Sequence, residues 1–216
     1  MSGTGQAPST PAPAGFWRLD GRVALVTGAS AGLGARFARV LHRAGAEVLA
    51  TARRADLLDG LARECGERIE VMPGDITDAS HREALARRLE THGRLDLLVN
   101  NAGICDDGPI EEQSLDELRE VIEVNLISVL DLCRLTAPLL CAAPAASVIN
   151  VASMYGIVSS RGPMAAYNAT KGALISLTRQ LAAQWGGHGV RASRVCSWIE
   201  RAKSASARWP VNSVGK

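Results

Sequence analysis

The chain has 216 residues, 47% of them hydrophobic, and a formal net charge of +2 at pH 7. These values are typical of a single globular domain with an ample core. The net charge is evidence neither for nor against a nucleic-acid partner. No apolar run has the length that a bilayer span needs, so we expect no membrane partner. We also expect no nucleic acid among the partners.

Both the N-terminal segment and the cysteines indicate an intracellular protein. Residues 1–15 lack the basic and apolar regions of a secretory signal, and their Pro, Ala, Ser, Thr and Gly content predicts a disordered leader. The five cysteines are odd in number and show no metal-ligand spacing. We therefore predict incidental thiols in a reducing cytoplasm and no metal site.

The first folded unit is predicted to be a strand at about 22–27, a glycine-rich turn and a helix at about 32–44. The turn has the spacing GxxxGxG, with glycines at Gly28, Gly32 and Gly34. Glycines allow a sharp turn and a close approach of the backbone to a ligand, and a helix N-terminus attracts phosphate. The apolar face of the helix is formed by Leu33, Phe37, Val40 and Leu41. This unit predicts a diphosphate site.

The rest of the chain continues the alternation of strands and helices. Further strands are predicted at about 47–51, 69–72, 95–99 and 147–151. Further helices are predicted at about 55–65, 79–91, 114–135 and 164–185. Asp78 is expected to cap one helix, and Ser114 with Glu117 forms the capping box of the next. Pro138 is expected to close or kink that helix.

This alternation predicts an α/β fold with a doubly wound parallel sheet, in a single domain over 16–190. Ligands of such sheets bind beyond the carboxyl ends of the strands. Several polar or glycine residues occupy those ends: Gly28, Arg53, Asp75, Asn100 and Ser153. We therefore expect the functional site at this edge.

Four residues could carry chemistry. Tyr167 and Lys171 are neighbours on one helix face, and a nearby cation lowers the pKa of a phenol, although a surface pair would look the same. Ser153 lies fourteen positions before Tyr167, where its hydroxyl could bind a substrate oxygen or cap a turn. Asn125 interrupts an apolar helix surface, and its amide could hold a water or a backbone group.

Six motifs occur in an order that resembles the short-chain dehydrogenase/reductase family. They are TGASAGLG (27–34), GDITD (74–78), NNAG (100–103), EVNL with Asn125, INVAS with Ser153, and YNATK (167–171). The resemblance covers about 22–190. It implies a Rossmann-like sheet and a nicotinamide-dependent oxidoreductase that interconverts an alcohol and a carbonyl in a small-molecule substrate.

The resemblance also implies roles for individual residues. Tyr167 would be the general acid in reduction and the base in oxidation, and Lys171 would lower its pKa and contact the nicotinamide ribose. Ser153 would orient the substrate oxygen, and Asn125 would position a water between Lys171 and solvent. The cofactor-binding residues would be Gly28, Ser30, Gly32, Leu33, Gly34, Arg53, Asp75, Ile76, Asn101, Ala102, Gly103, Tyr167 and Lys171. A homodimer or homotetramer is expected.

The end of the second strand bears on the choice of cofactor. Ala52 stands where NAD-binding members of the family have an acid, and Arg53 and Arg54 follow it. A guanidinium suits a 2′-phosphate, so we predict NADP(H) in preference to NAD(H). The glycine turn does not add to this argument, because Ala31 stands where many NADP-preferring relatives have a basic residue.

Beyond Val190 the resemblance is expected to end, with no further strand and a sheet truncated after strand five or six. Residues 191–216 contain six basic side chains and one acidic one. This tail would be a frameshifted or misassembled end, a short natural variant, or a basic arm. The alternative to an enzyme is an inactive, truncated member that binds nucleotide or a protein partner.

Overall fold

The computed structural model describes residues 18–106 and 108–197, and the predicted leader and residues 198–216 lie outside this part. The strands β1 to β6 are Val23–Thr27, Glu47–Ala52, Ile69–Pro73, Leu97–Asn100, Ser147–Ser153 and Arg191–Ser197. The helices α1 to α6 are Gly32–Arg43, Ala55–Cys65, Ala79–Glu90, Leu115–Ile122, Ser128–Ala142 and Ala165–Trp185. A π-helical turn, Glu123–Ile127, joins α4 to α5.

The six strands form one parallel sheet in the order β3-β2-β1-β4-β5-β6. Alternate residues of β1 enter different cores, because successive side chains of a strand point to opposite faces. Ala24 and Val26 pack with residues of α1 and α2, whereas Leu25 packs with residues of α3, α5 and α6. The predicted doubly wound, Rossmann-like sheet, covered on both faces, is confirmed.

The sixth strand corrects the prediction for the region after Val190. Residues 191–197 pair in parallel with the whole of β5, from Ser147 opposite Arg191 to Ser153 opposite Ser197. Arg191, Ser193 and Arg194 are exposed, so this strand lacks the apolar run that reveals a buried one. The expectation of no further strand after Val190 is therefore wrong, and of the two predicted ends of the sheet, strand five or strand six, the described residues show the sixth strand.

The helix termini follow the predicted capping residues. The Asp78 side chain accepts a hydrogen bond from the Ser80 amide, and Ser114 with Glu117 forms the predicted capping box. Pro138 lies inside α5 and does not end it, because α5 continues to Ala142.

The apolar face predicted for α1 is only partly correct. The buried positions of this helix are small residues, Ala35 and Ala38, whereas Leu33 and Val40 are exposed. Phe37 contacts the core but is only half-buried. Small side chains bring α1 close to the sheet.

One continuous helical stretch, Leu115–Ala142, bears on the expectation about membranes. Among the described residues it is the one stretch that is long and apolar enough to cross a bilayer by length and composition. The expectation that no run reaches this length is therefore wrong for this stretch. Half of its most apolar 18-residue window is buried inside the protein.

A buried carboxylate joins β1 to β4 at the edge of the sheet opposite the carboxyl ends. Asp96 is 1% exposed, accepts hydrogen bonds from the Val23 amide and the Arg22 guanidinium at 3.0 and 2.7 Å, and pairs with Arg94. Burial alone would raise the pKa of Asp96, but the hydrogen bonds from Arg94, Val23 and Arg22 outweigh it and the pKa is lowered.

Replacing Asp96 by Asn should lower the free energy of unfolding by about 2–4 kcal/mol at pH 7, because the change breaks a buried ion pair. Since the folded pKa is depressed, this stabilisation is present above the unfolded carboxyl pKa of about 3.9 and is lost as the pH falls through the folded value. Urea unfolding at pH 7 and at lower pH measures the difference. Asp116→Asn, at an exposed carboxylate, is the control and should change little; an equal effect of both changes would contradict the assignment.

Candidate active site

A cleft of about 500 Å³ opens at the carboxyl ends of the strands. Its walls come from the turn after β1, the ends of β2 and β3, the loop after β4, the end of β5 and α6. The predicted residues that line it are Gly28, Ser30, Gly32, Leu33, Arg53, Asp75, Ile76, Asn101, Ala102, Gly103, Tyr167 and Lys171. Gly34, Asn125 and Ser153 are predicted site residues that lie outside the lining.

The turn after β1 packs directly against the loop after β4. Gly28 has a φ of +66°, and a Cβ atom there would lie 2.8 Å from Nδ2 of Asn101. At Gly34 a Cβ atom would lie 2.2 Å from the Gly28 carbonyl oxygen. Gly34 therefore keeps the turn compact and does not itself face the cleft.

The N-terminus of α1 is suited to an anion. Its N-cap residue, Ala31, provides no side-chain hydrogen bond, and Ala31, Gly32 and Leu33 all line the cleft. The first amides of a helix have no partner within the helix, and the helix dipole makes this end positive. The chemistry of this helix end therefore suits the predicted diphosphate.

Hydrogen bonds hold the loop after β4 to β1. The Thr27 hydroxyl accepts from the amides of Asn101 and Ala102, both at 3.0 Å. The Asn101 side chain donates to the carbonyls of Thr27 and Gly28 at 2.9 and 3.2 Å. Asn100, by contrast, points into the core and donates to Asn150 at 2.9 Å.

Asn125 is fully buried in the π-helical turn, and its side chain binds other protein groups. Its Oδ1 accepts from the Ile104 amide, and its Nδ2 donates to the Ile104 carbonyl, each at 2.8 Å. Nδ2 also donates to the Thr170 hydroxyl at 3.1 Å. The backbone partner that the sequence suggested is observed, and both amide protons are used within the protein. The water position that the resemblance implies stays a prediction.

Tyr167, Lys171 and Ser153 come together at the ends of β5 and α6, with exposed fractions of 6%, 4% and 1%. Lys171 Nζ lies 5.4 Å from the centroid of the Tyr167 ring and donates to the Val151 carbonyl at 2.8 Å. The Ser153 hydroxyl oxygen accepts from the Tyr155 amide at 3.2 Å. A phenol, an ammonium and a hydroxyl thus share one buried corner.

The pKa of the phenol departs from the prediction. We expected Lys171 to lower the pKa of Tyr167, but burial raises that pKa, and only interaction with Ser153 acts in the opposite direction. Burial also lowers the pKa of Lys171 to about 8. In this structure desolvation is the largest influence on the pKa of each of the two groups.

The rim beside β2 is rich in guanidinium groups. Arg54 donates to the Ser30 hydroxyl at 3.2 and 3.0 Å, which joins the end of β2 to the glycine turn. Arg53 lies 4.0 Å from the Asp75 carboxylate. The pKa of Asp75 is lowered, chiefly by the hydrogen bond that it accepts from the Thr77 amide.

A buried arginine that sequence analysis missed supports the wall formed after β3. Arg82 is 5% exposed and donates to the carbonyls of Ile76 and Thr77 at 2.8 and 2.9 Å. It also donates to the Asp131 carboxylate on α5 at 2.6 Å. Its position in α3 gave no local signal, because the carbonyl partners are backbone atoms.

Several further lining residues were also missed, namely Thr51, Gly74, Ile104, Val124, Val151 and Ala152. Most of them lie at or near the carboxyl ends of strands, so the predicted strand ends were the signal that could have found them.

The fold and this cleft define a Rossmann-like domain with a dinucleotide-sized site. A family model described as short chain dehydrogenase matches residues 22–206. The chain belongs to the short-chain dehydrogenase family.

Individual relatives are similar over most of this chain. Galactitol 2-dehydrogenase of Rhizobium johnstonii is 38% identical over 190 residues, which cover 85% of this chain and 74% of that protein. A chloroplastic tropinone reductase homologue of Arabidopsis thaliana is 36% identical over 187 residues, which cover 84% of this chain and 58% of that protein. The chain thus spans less than two thirds of this relative's length.

A solved structure from Beutenbergia cavernae has the same fold, with a TM-score of 0.78 and 38% identity over 84% of this chain and 74% of that one. That protein is described as an NAD(P)-dependent gluconate 5-dehydrogenase with NADP bound at low occupancy.

Replacing Gly34 by Ala should lower the free energy of unfolding by about 1–3 kcal/mol, because the added methyl group would overlap the Gly28 carbonyl. Gly60→Ala is the matched control, since Gly60 is also helical but has open space around it, and it should gain about 0.5–1 kcal/mol. Urea unfolding of both variants measures the contrast. Equal stability of the two variants would show that the turn and α1 do not meet as described.

Proposed function

We propose that this chain is an NADP(H)-dependent oxidoreductase that interconverts an alcohol and a carbonyl compound. The observation that carries the proposal is one cleft that joins an uncapped helix N-terminus to the buried Tyr167 and Lys171, with the Ser153 side chain next to Tyr167. A dinucleotide has a diphosphate for the first feature and a reactive ring for the second. The relatives named dehydrogenase and reductase support the same reaction class.

In the proposed reduction, Tyr167 is the proton donor. Its hydroxyl gives a proton to the carbonyl oxygen of the substrate, and the Ser153 hydroxyl hydrogen-bonds the same oxygen and holds it in place. When bound, the nicotinamide cofactor supplies a hydride in this direction and accepts one in the reverse direction. In oxidation the Tyr167 oxygen takes the proton back from the alcohol.

Near neutral pH, Tyr167 and Lys171 have the charge states that proton donation by the phenol needs. Because the pKa of Tyr167 is raised, its phenol carries the proton that a general acid must deliver. Because the pKa of Lys171 is about 8, its ammonium is charged below that pH and stabilises the negative charge that develops on the phenol. Raising the pH through about 8 removes this cation.

The residues present also fit NADP(H). A 2′-phosphate at the end of β2 would meet Arg53 and Arg54, with no acid at Ala52. Arg54 is already oriented toward the glycine turn by Ser30. The NADP in the Beutenbergia cavernae protein supports this choice.

The proposal extends to assembly and location. We propose a cytoplasmic homodimer or homotetramer that acts on a small molecule, without nucleic acid or membrane as partner. The exposed apolar residues Leu115, Ile122 and Leu130 along α4 and α5 support self-association.

Tyr167→Phe tests the reaction. Turnover should fall by about 10²–10⁴-fold, because the proton donor is lost, while the Kd for NADPH stays within about threefold. The assay follows NADPH consumption with a panel that includes tropinone and keto forms of polyols and gluconate. Tyr155→Phe, at the chain's other tyrosine, is the control and should keep turnover. NADPH binding without turnover of any panel member by the unaltered chain would instead support the non-catalytic alternative.

Arg54→Ala tests the cofactor. The Kd for NADPH should rise about 10-fold or more, because a charge-assisted contact to the 2′-phosphate is lost, while the Kd for NADH should not change. Fluorescence titration with both nucleotides measures this. Arg63→Ala, an exposed arginine on α2 away from the cleft, is the matched control. Tighter binding of NADH than of NADPH by the unaltered chain would refute the preference.

A further inference from the structure

The first turn of α6, which carries Tyr167, is capped by a residue from a distant part of the chain. Asp106, on the loop after β4, is 6% exposed. Its carboxylate accepts from the amides of Ala166 and Tyr167 at 3.1 and 2.8 Å. The helix's own N-cap residue, Met164, provides no side-chain hydrogen bond. A residue about 60 positions earlier therefore satisfies two of the orphan amides of α6.

Other contacts make this loop a firm support. Gln113 donates from Nε2 to the Asp106 carboxylate at 3.3 Å. The Gly108 amide donates to the Pro163 carbonyl, just before α6, at 3.3 Å. On the other side of Asp106, the Ile104 backbone is held by Asn125. The loop thus connects the floor of the cleft to the first turn of α6.

We propose that Asp106 is a positioning residue for Tyr167. The proposal rests on the proposed function. The carboxylate does not line the cleft, and it bonds to the backbone of the residue whose hydroxyl does the chemistry. A misplacement of about 1 Å can cost a factor of about 10² in rate, so this support controls turnover without contacting the substrate.

Asp106→Asn replaces one acceptor oxygen by an NH₂ group and removes the charge, with little change in size. We expect kcat to fall about tenfold or more while the Kd for NADPH stays within about twofold, because the cleft walls are unchanged. Asp78→Asn is the matched control, since Asp78 caps α3 in the same way, with its carboxylate 2.8 Å from the Ser80 amide. That variant should lose stability but keep kcat within about twofold.

Two results would overturn the proposal. One is a kcat of Asp106→Asn within about twofold of the unaltered enzyme. The other is a loss of kcat that Asp78→Asn matches, which would mean that any lost cap lowers the rate. If Asp106→Asn does not fold, Asp106→Glu takes its place, because it keeps the charge and moves the carboxylate by one methylene. A tenfold loss of kcat is expected there as well, and unchanged kcat would again overturn the proposal.

A second readout needs no substrate and no cofactor. The chain has two tyrosines, so in a Tyr155→Phe background the tyrosinate absorbance reports Tyr167 alone. The ionisable groups that face the phenol among the described residues are Lys171, Cys105 and Tyr155. We expect Asp106→Asn to change the pKa of Tyr167 by about 0.5 or more, because a displaced phenol differs in burial and in its interaction with Ser153, the two largest influences on that pKa. An unchanged titration would count against the proposal.

The two measurements separate this inference from the proposed function. If Tyr167→Phe leaves turnover intact, the proposed function fails, and the tyrosinate titration still tests whether Asp106 sets the surroundings of Tyr167. If Tyr167→Phe abolishes turnover and Asp106→Asn changes neither kcat nor the titration, only the inference about Asp106 fails.

Discussion

The cleft depends on how closely the turn after β1 approaches the loop after β4. Gly28 and Gly34 leave no room for a side chain at this contact, and Asn101 fills the remaining space while it bonds to the carbonyls of Thr27 and Gly28. This contact fixes the direction in which α1 leaves the sheet. The first residues of α1 therefore line the cleft.

Burial determines the pKa shifts of Tyr167 and Lys171 in the cleft. The low-dielectric surroundings of Tyr167 and Lys171 favour the neutral form of each group, so the pKa of Tyr167 rises and the pKa of Lys171 falls. The pKa values of such buried groups shift strongly when another charge enters the site, because an added charge is poorly screened there. Asp106 holds the backbone of this part of α6 through the amides of Ala166 and Tyr167. The group that supports the helix is therefore separate from the side chain of Tyr167.

The sequence predicted most of the elements and more than half of the residues that line the cleft, because strand ends and glycine spacing are local features. What it missed depends on contacts between distant residues. The roles of Arg82 and Asp106 rest on backbone partners that no local pattern marks. The sequence did not predict β6, because its exposed Arg and Ser residues obscure the apolar pattern of a strand. Val40 was placed on the buried face of α1, but the residues of this helix that meet the sheet are small ones. The raised pKa of Tyr167 could not be predicted, because it depends on the burial of the side chain, and residue spacing does not show burial.

The strand order has a consequence for the folding of the chain during its synthesis. β1 lies between β2 and β4, so one side of this strand finds its neighbour only after residue 100 has been made. Tyr167 joins Gly28 at the cleft later still, when β5 and α6 have docked. Such non-local pairing is slow, because long loops must close before the contacts form. A nascent chain would therefore complete the cleft only after α6 has been synthesised, when most of the sheet is already in place.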